Sequence, residues 1–415
     1  MNKYFPIKTE TACQLKWTWS TIHLYEGTTN SCHRVSLSNV EPDNFDAFHN
    51  TPKKLADREI MLEGNWPQGG CEYCKNVEDA GGQSDRQFHL QIPNLTPPEL
   101  ETDSTAINVT PRIVEVYFDN VCNMSCVYCE DRFSSKIQQE NINFGDFVSN
   151  GVEIKNTAVK HYKHAELTQA FWNWMEKNST SLRRFHVLGG EPFYQSEFDR
   201  CMEFLETHHN PELEFNIVTN LKVTMPKLEK FVERIKNLVL SRRIKRVDIT
   251  ASIDCWGKEQ EYIRYGINME QWQQNFDYIA KQKWIILNIN QTITGLGIKS
   301  IPSLIKYINQ HRKTRPIGHY FMACVNRSQL YPGIFGPGFF DEDFKNILAE
   351  MHNDSWQHTN ARNMMLGLQA EFNSHQRDSN KLSKLKTFLN EIDRRRQLDW
   401  STTFPWLVKE LDNVV

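Results

Sequence analysis

With 415 residues, 39% of them hydrophobic and 12% aromatic, the chain is long enough to bury a large core and to divide into two or three domains. Its formal charge of -3 gives no global footprint for nucleic acid or for an anionic membrane surface, and basic runs such as Arg242-Arg243-Ile244-Lys245-Arg246 and Arg394-Arg395-Arg396 read as solvated helix ends. No apolar stretch approaches the roughly 18 residues of a membrane span. Met1 to Ser20 lacks the apolar core of a secretory signal. A cytoplasmic protein is expected, and there ten cysteines point to metal ligation or chemistry rather than to disulfides.

Three segments follow one another. Residues 1–110 carry Cys13, Cys32, Cys71 and Cys74 at mostly wide spacing and end in the Pro-rich stretch Pro93-Asn94-Leu95-Thr96-Pro97-Pro98, which reads as a linker after a small metal-stapled module. In residues 111–335, apolar β-branched runs alternate with helical periodicity. The predicted strands are Ile113 to Asp119, Arg184 to Leu188, Glu214 to Thr219, Arg246 to Ile253, Ile285 to Thr294 and His319 to Val325. Helices are predicted between them over Ala165 to Lys177, Gln195 to His208, Met225 to Leu238, Met269 to Gln282 and Ile301 to His311. Such alternation calls for parallel strands with right-handed crossovers, an α/β fold. Six units are too few for a closed eight-strand barrel and enough for a partial (β/α)6 one of the TIM type. Residues 336–415 form a charged helical extension, with helices over Asp341 to Met351 and Ser379 to Gln397.

Directly after the first barrel strand stands Cys122-Asn123-Met124-Ser125-Cys126-Val127-Tyr128-Cys129. Loops at the carboxyl ends of barrel strands are where active sites are built. Three thiolates on one short loop suit a corner of a four-iron four-sulfur cubane and leave one iron open, or they suit zinc with a fourth ligand such as His186 or a remote cysteine.

A cysteine, three residues, a cysteine, one residue, an aromatic and a cysteine is a pattern that resembles the radical S-adenosylmethionine superfamily, position for position at Cys122, Cys126, Tyr128 and Cys129. Leu188-Gly189-Gly190-Glu191-Pro192 is similar to that family's glycine-glycine-glutamate-proline motif. The resemblance implies that Gly189, Gly190 and Glu191 hold the amino group of S-adenosylmethionine. Paired glycines allow close backbone approach, and a carboxylate suits an ammonium. Asn220 resembles the ribose-contacting position. Ser252 and Arg264 resemble the pair that binds the methionine carboxylate in one subgroup, a role for which an arginine fork is suited. The implied reaction is reductive cleavage of S-adenosylmethionine to a 5′-deoxyadenosyl radical, followed by hydrogen abstraction from substrate. A low-potential donor such as flavodoxin or ferredoxin is the implied electron source.

Cys13, Gly27 and Cys32 resemble the opening hairpin of SPASM and twitch cluster domains, with Trp17, Ile22, Leu24 and Tyr25 as strand residues. Cys71 and Cys74 supply the close pair. Four thiolates close an auxiliary four-iron four-sulfur cluster, or a four-cysteine zinc site. Two departures from the family pattern stand out: the module precedes the barrel, and Ala80 occupies the place of a third late cysteine. Cys201 is expected in packing. Cys255 and Cys324, near strand ends, and Asp254 are candidates for hydrogen-atom donor or base, and His319 and Tyr320 for contacts to adenine or substrate. The resemblance points to ribosomally made peptides as substrates, undergoing crosslinking, epimerisation, decarboxylation or backbone excision. A small metabolite as substrate, or a non-catalytic zinc-binding interaction protein, is the alternative.

Overall fold

The computed structural model describes residues 4–352 and 354–412; the ends of the 1–110 and 336–415 segments, and Asn353, lie outside the described residues. The strands in chain order are β1 (Trp19–His23), β2 (Thr28–Asn30), β3 (Ser38–Asn39), β4 (Ile113–Tyr117), β5 (Ser125–Cys126), β6 (Phe147–Ser149) and β7 (Val152–Ile154). They continue with β8 (Arg184–Leu188), β9 (Asn210–Thr219), β10 (Ile244–Ser252), β11 (Arg264–Tyr265), β12 (Ile286–Ile293) and β13 (Gly318–Ala323). The six strands predicted for residues 111–335 are all present, within a few residues of their expected ends, as β4, β8, β9, β10, β12 and β13. The chain is mixed α/β with a large, mainly parallel sheet.

Two compact units form. The first comprises Met1–Asn120, Val159–Ile217 and Phe231–Val247. Its sheet runs in the order β9-β8-β4-β1-β2-β3, and β4 pairs in parallel with both β1 and β8. On one face, Val114, Val116, Phe118, Phe185 and Val187 are nearly fully buried. There Phe118 packs on Phe171 and Trp172 of helix His164–Asn178. That helix forms because Leu167, Phe171, Trp174 and Met175 recur at helical spacing and share a buried stripe. The opposite face is polar: Thr21, Glu115, His186 and Asn216 lie side by side across β1, β4, β8 and β9.

The predicted hairpin exists as β1 and β2, antiparallel, with Gly27 in the turn at φ +67°. A Cβ at Gly27 would stand 2.6 Å from the His161 ring. Trp17, expected on a strand, instead lies in the short helix Gln14–Thr18, and Leu24 and Tyr25 fall in the turn. Trp17 therefore packs edge-on against Phe5 in a small apolar cluster that also holds Cys13, Met61, Cys71 and Leu100.

The second unit comprises Val121–Ala158, Val218–Lys230 and Asp248–Val415. Here β12 pairs in parallel with Asp248–Ser252 of β10 and with β13. Helices Met269–Ala280 and Ile301–Arg312 make the crossovers. The carboxyl-terminal helices Asp341–Glu350 and Ser379–Arg396 place Phe344, Ile347, Leu385, Phe388 and Leu389 in one apolar core with Ile293, Ile305 and Cys255. Fully burying each such side chain is worth about 1.5–3 kcal/mol.

Candidate metal and cofactor site

In the second unit the three-cysteine loop is held at nearly every residue. The Cys122 amide donates to Ser135 Oγ at 3.1 Å, and Ser134 Oγ donates to the Met124 carbonyl at 2.7 Å. Ser134 also caps helix Ser135–Phe144, accepting from the Ile137 amide, so the loop is anchored to a helix amino terminus. Cys126 lies in β5 opposite Arg264 of β11, and the Val127 amide donates to the Ile263 carbonyl at 2.8 Å. Asn326 Nδ2 donates to the Tyr128 carbonyl at 2.7 Å, and Arg327 Nη2 to the Cys129 carbonyl at 3.2 Å.

The three thiols influence one another electrostatically. Burial, then the neighbouring Cys126 and Cys122, push the Cys129 thiol well up, and burial raises that of Cys126. A cation reaches each one: Lys222 at Cys122, Arg264 and Arg396 at Cys126, and Arg327 at Cys129. Among the described residues, no three His, Cys, Asp or Glu side chains converge on a point that could hold a single metal ion. A cubane makes a different demand, since each thiolate takes its own iron. Three coupled thiols ringed by cations fit such an anionic group.

Beside the loop stands a buried polar centre. Asp254, 1% exposed, accepts from Arg264 Nε at 2.8 Å and Nη2 at 3.0 Å, from the Tyr128 hydroxyl at 2.8 Å and from the Thr292 amide at 2.9 Å. The Arg264 guanidinium also lies over the Tyr128 ring, 5.6 Å from its centroid. Gln291 Nε2 donates to the Asp254 carbonyl, and Gln291 Oε1 faces His319 Nε2 at 2.8 Å. Desolvation holds His319 down at about 3, so its imidazole is neutral. Asn220 Nδ2 donates to Asn123 Oδ1 at 2.9 Å, inside the cysteine motif. Asn220 Oδ1 in turn accepts from the Lys222 amide. Ser252 ends β10 opposite Asn290 and is buried, whereas Tyr320 is exposed. The unit thus brings Tyr128, Asp254 and Arg264 together, and Asn220 with Asn123.

Cys255 is fully buried among apolar side chains, and burial pushes its thiol well up. Cys324, 2% exposed, donates to Asn326 Oδ1 at 3.3 Å, and its thiol is raised to about 11 by burial. Cys201 is wholly buried on helix Ser196–Thr207.

In the first unit, Gly189 and Gly190 follow β8 at φ +82° and +53°. A Cβ on Gly189 would stand 2.5 Å from the Tyr117 ring, so only glycine fits both the turn and the packing. Glu191, 1% exposed, caps the short turn Pro192–Tyr194 by accepting from the Phe193 amide.

The same unit gathers Cys13, Cys32, Cys71 and Cys74. Burial first, then neighbouring thiols, raise Cys13 to about 12, and Cys32 and Cys71 also lie above the usual range. Lys16 acts on three of the four. Around it lie three buried basic side chains: Lys16, Lys54 and Arg58 are 2%, 3% and 0% exposed, and burial pushes Lys54 well down and Arg58 to about 9. Lys16 pairs with Asp57, and among the described residues Lys54 donates to Ser20, Thr29 and the Phe48 carbonyl. Arg58 donates to Asn50, His49 and the carbonyls of Lys16 and Ile107. Four metal-bound thiolates would gain from the charge of Lys16 beside them, so this donor set fits a closed anionic cluster.

Sequence reasoning passed over Lys16, Lys222, Asn326 and Arg327. Asn326 and Arg327 lie 198 residues from the carbonyls they hold, and no local pattern marks them.

No family model matches the chain, and no curated protein does. Similar solved structures include SuiB of Streptococcus suis bound to S-adenosylmethionine, at 14% identity and a TM-score of 0.34, over 72% of this chain and 61% of that one. A second SuiB structure matches at 13% identity and a TM-score of 0.34, over 72% of this chain and 60% of that one. The matched region thus spans less than two thirds of SuiB in either structure.

Proposed function

We propose that this chain is a radical S-adenosylmethionine enzyme of the cytoplasm that modifies a ribosomally made peptide. The observation that carries the reading is the anchored loop of Cys122, Cys126 and Cys129 with its cations, adjoining the Tyr128, Asp254 and Arg264 centre. When bound, the cluster and S-adenosylmethionine supply a 5′-deoxyadenosyl radical that takes a hydrogen atom from substrate.

In this reading Cys122, Cys126 and Cys129 hold the reactive cluster within a partial barrel. Gly189, Gly190 and Glu191 receive the methionine amino group, and Asn220 the ribose. Ser252 and Arg264 receive the carboxylate, and the fixed bond from Asp254 orients the Arg264 fork. Cys13, Cys32, Cys71 and Cys74 hold an auxiliary cluster that takes the substrate electron, and a flavodoxin or ferredoxin delivers the first one. Cys324 and Cys255 are the candidate hydrogen-atom donors, and Asp254 is the candidate base.

The test is anaerobic purification followed by iron analysis and incubation with S-adenosylmethionine and dithionite. A brown protein with about eight irons that forms 5′-deoxyadenosine is expected. A colourless zinc protein that forms none overturns the reading. Mass spectrometry of a co-expressed candidate peptide then tests the substrate class through a mass change such as the loss of two hydrogens.

A further inference from the structure

Three arginines direct charge at the cysteine loop, and two of them are neutralised by acids. Arg264 is paired with Asp254, and Arg396 is paired with Glu140 through Nε at 2.9 Å and Nη2 at 3.2 Å. Arg327 is different. Its Nη2 is spent on the Cys129 carbonyl, its Nε is buried without a partner, and it pairs with no carboxylate among the described residues. The Glu130 carboxylate nearby is paired with Arg132 at 3.1 Å. The other side of the guanidinium lies over the Phe388 ring, 5.5 Å from its centroid, which offers no counter-charge.

Arg327 is part-buried, and the acid that acts on it, Glu130, is shared with Arg132, so the guanidinium has room for a further anion beside it. A dicationic four-iron four-sulfur core with three thiolates is a net monoanion, and one added electron makes it a dianion. We propose that Arg327 is the counter-charge of the cluster held by Cys122, Cys126 and Cys129, and that it sets how readily that cluster accepts an electron. This rests on the reading of those cysteines as cluster ligands. A fixed positive charge favours the more negative state, so Arg327 eases reduction by the external one-electron donor and leaves the bonds of the cluster unchanged. It acts through the field at the cluster and is a positioning residue.

The experiment compares anaerobically reconstituted wild type, Arg327→Gln and Arg327→Lys by redox titration followed by electron paramagnetic resonance. The signal followed is the one that added S-adenosylmethionine perturbs, which separates it from any second cluster. Gln keeps a donor for the Cys129 carbonyl and loses the charge; Lys keeps the charge. The expected result is a more negative midpoint in Arg327→Gln, with the reduced-to-oxidised ratio at a fixed poise falling by about tenfold or more, the effect of one charge at close range in an effective dielectric near 20. Arg327→Lys should titrate close to wild type. If Arg327→Gln does not retain its cluster, Arg327→Met, which keeps the stem's packing on Phe388, is titrated in its place. An unchanged midpoint in the uncharged variant, or an equal shift in Arg327→Lys, overturns the inference and leaves the function standing. A wild-type chain with no signal responsive to S-adenosylmethionine overturns both.

Discussion

Asp254→Asn is the most exacting test of the buried polar centre. The wild-type carboxylate, 1% exposed, takes four hydrogen bonds, two of them from Arg264, which is itself 7% exposed. Asn keeps the shape and one acceptor but removes the charge, leaving a guanidinium buried with no acid. Breaking such a pair from one side costs about 3–5 kcal/mol. Arg264→Met strands the carboxylate instead and should lose a similar amount. The double variant strands neither charge, so its loss should fall short of the sum of the singles by about 2–3 kcal/mol. Since the chain has two compact units, a single unfolding midpoint would mix them. Hydrogen exchange read by mass spectrometry on peptides covering β10 and β12 isolates the response. Losses that simply add would refute the claim that the pair is one electrostatic unit.

Gly189→Ala should destabilise the first unit by about 2 kcal/mol or more, from the positive φ and the clash with Tyr117, and hydrogen exchange on peptides covering β4 and β8 equal to wild type would contradict the packing described. Cys71→Ala should lower bound iron by about half while 5′-deoxyadenosine formation continues; loss of all iron from a folded variant would contradict two separate sites. Burial holds His186 down at about 4, against roughly 6.5 in the unfolded chain. Its neutral form is favoured by folding, so this stability is whole above pH ~6.5 and is lost as pH falls through 4, by about 3 kcal/mol at most. His186→Gln should flatten the acid limb of stability against pH, measured from pH 7 to pH 4 by hydrogen exchange on peptides covering β4 and β8 with the intrinsic rate corrected for pH, and an unchanged slope would remove His186 from that role.

The six strands of residues 111–335 were legible because each is a short β-branched or aromatic run between helices whose apolar residues repeat at helical spacing, as in Leu167, Phe171, Trp174 and Met175. The cysteine motifs stand out in the sequence because their spacing is local. Pairing partners are not local. That β1 lies parallel against β4 depends on Trp19 meeting Ile113 across 94 residues, and nothing near Trp19 encodes it. Trp17 has a strand-former's side chain, yet it sits on a short helix because there its ring reaches Phe5 and the cluster around Cys13, an instance of packing overriding propensity. Asp254 and Arg264 are near neighbours in sequence, but that spacing is equally that of a surface ion pair. Their weight comes from burial by β12 and the cysteine loop, which only the fold supplies.

The clasp of Asn326 and Arg327 on the carbonyls of Tyr128 and Cys129 also orders events during synthesis. The loop is pinned by Asp254, 126 residues downstream of Tyr128, and by residues 198 downstream of the carbonyls they hold. At about 5–20 residues per second, those clamps leave the ribosome roughly 6 to 40 seconds after the cysteines do. The nascent thiols pass that interval without their clamps, so under the proposed function a cluster would be built there only after residues 326 and 327 have emerged. A truncation just before Asn326 should therefore leave the three cysteines present and their cradle unmade.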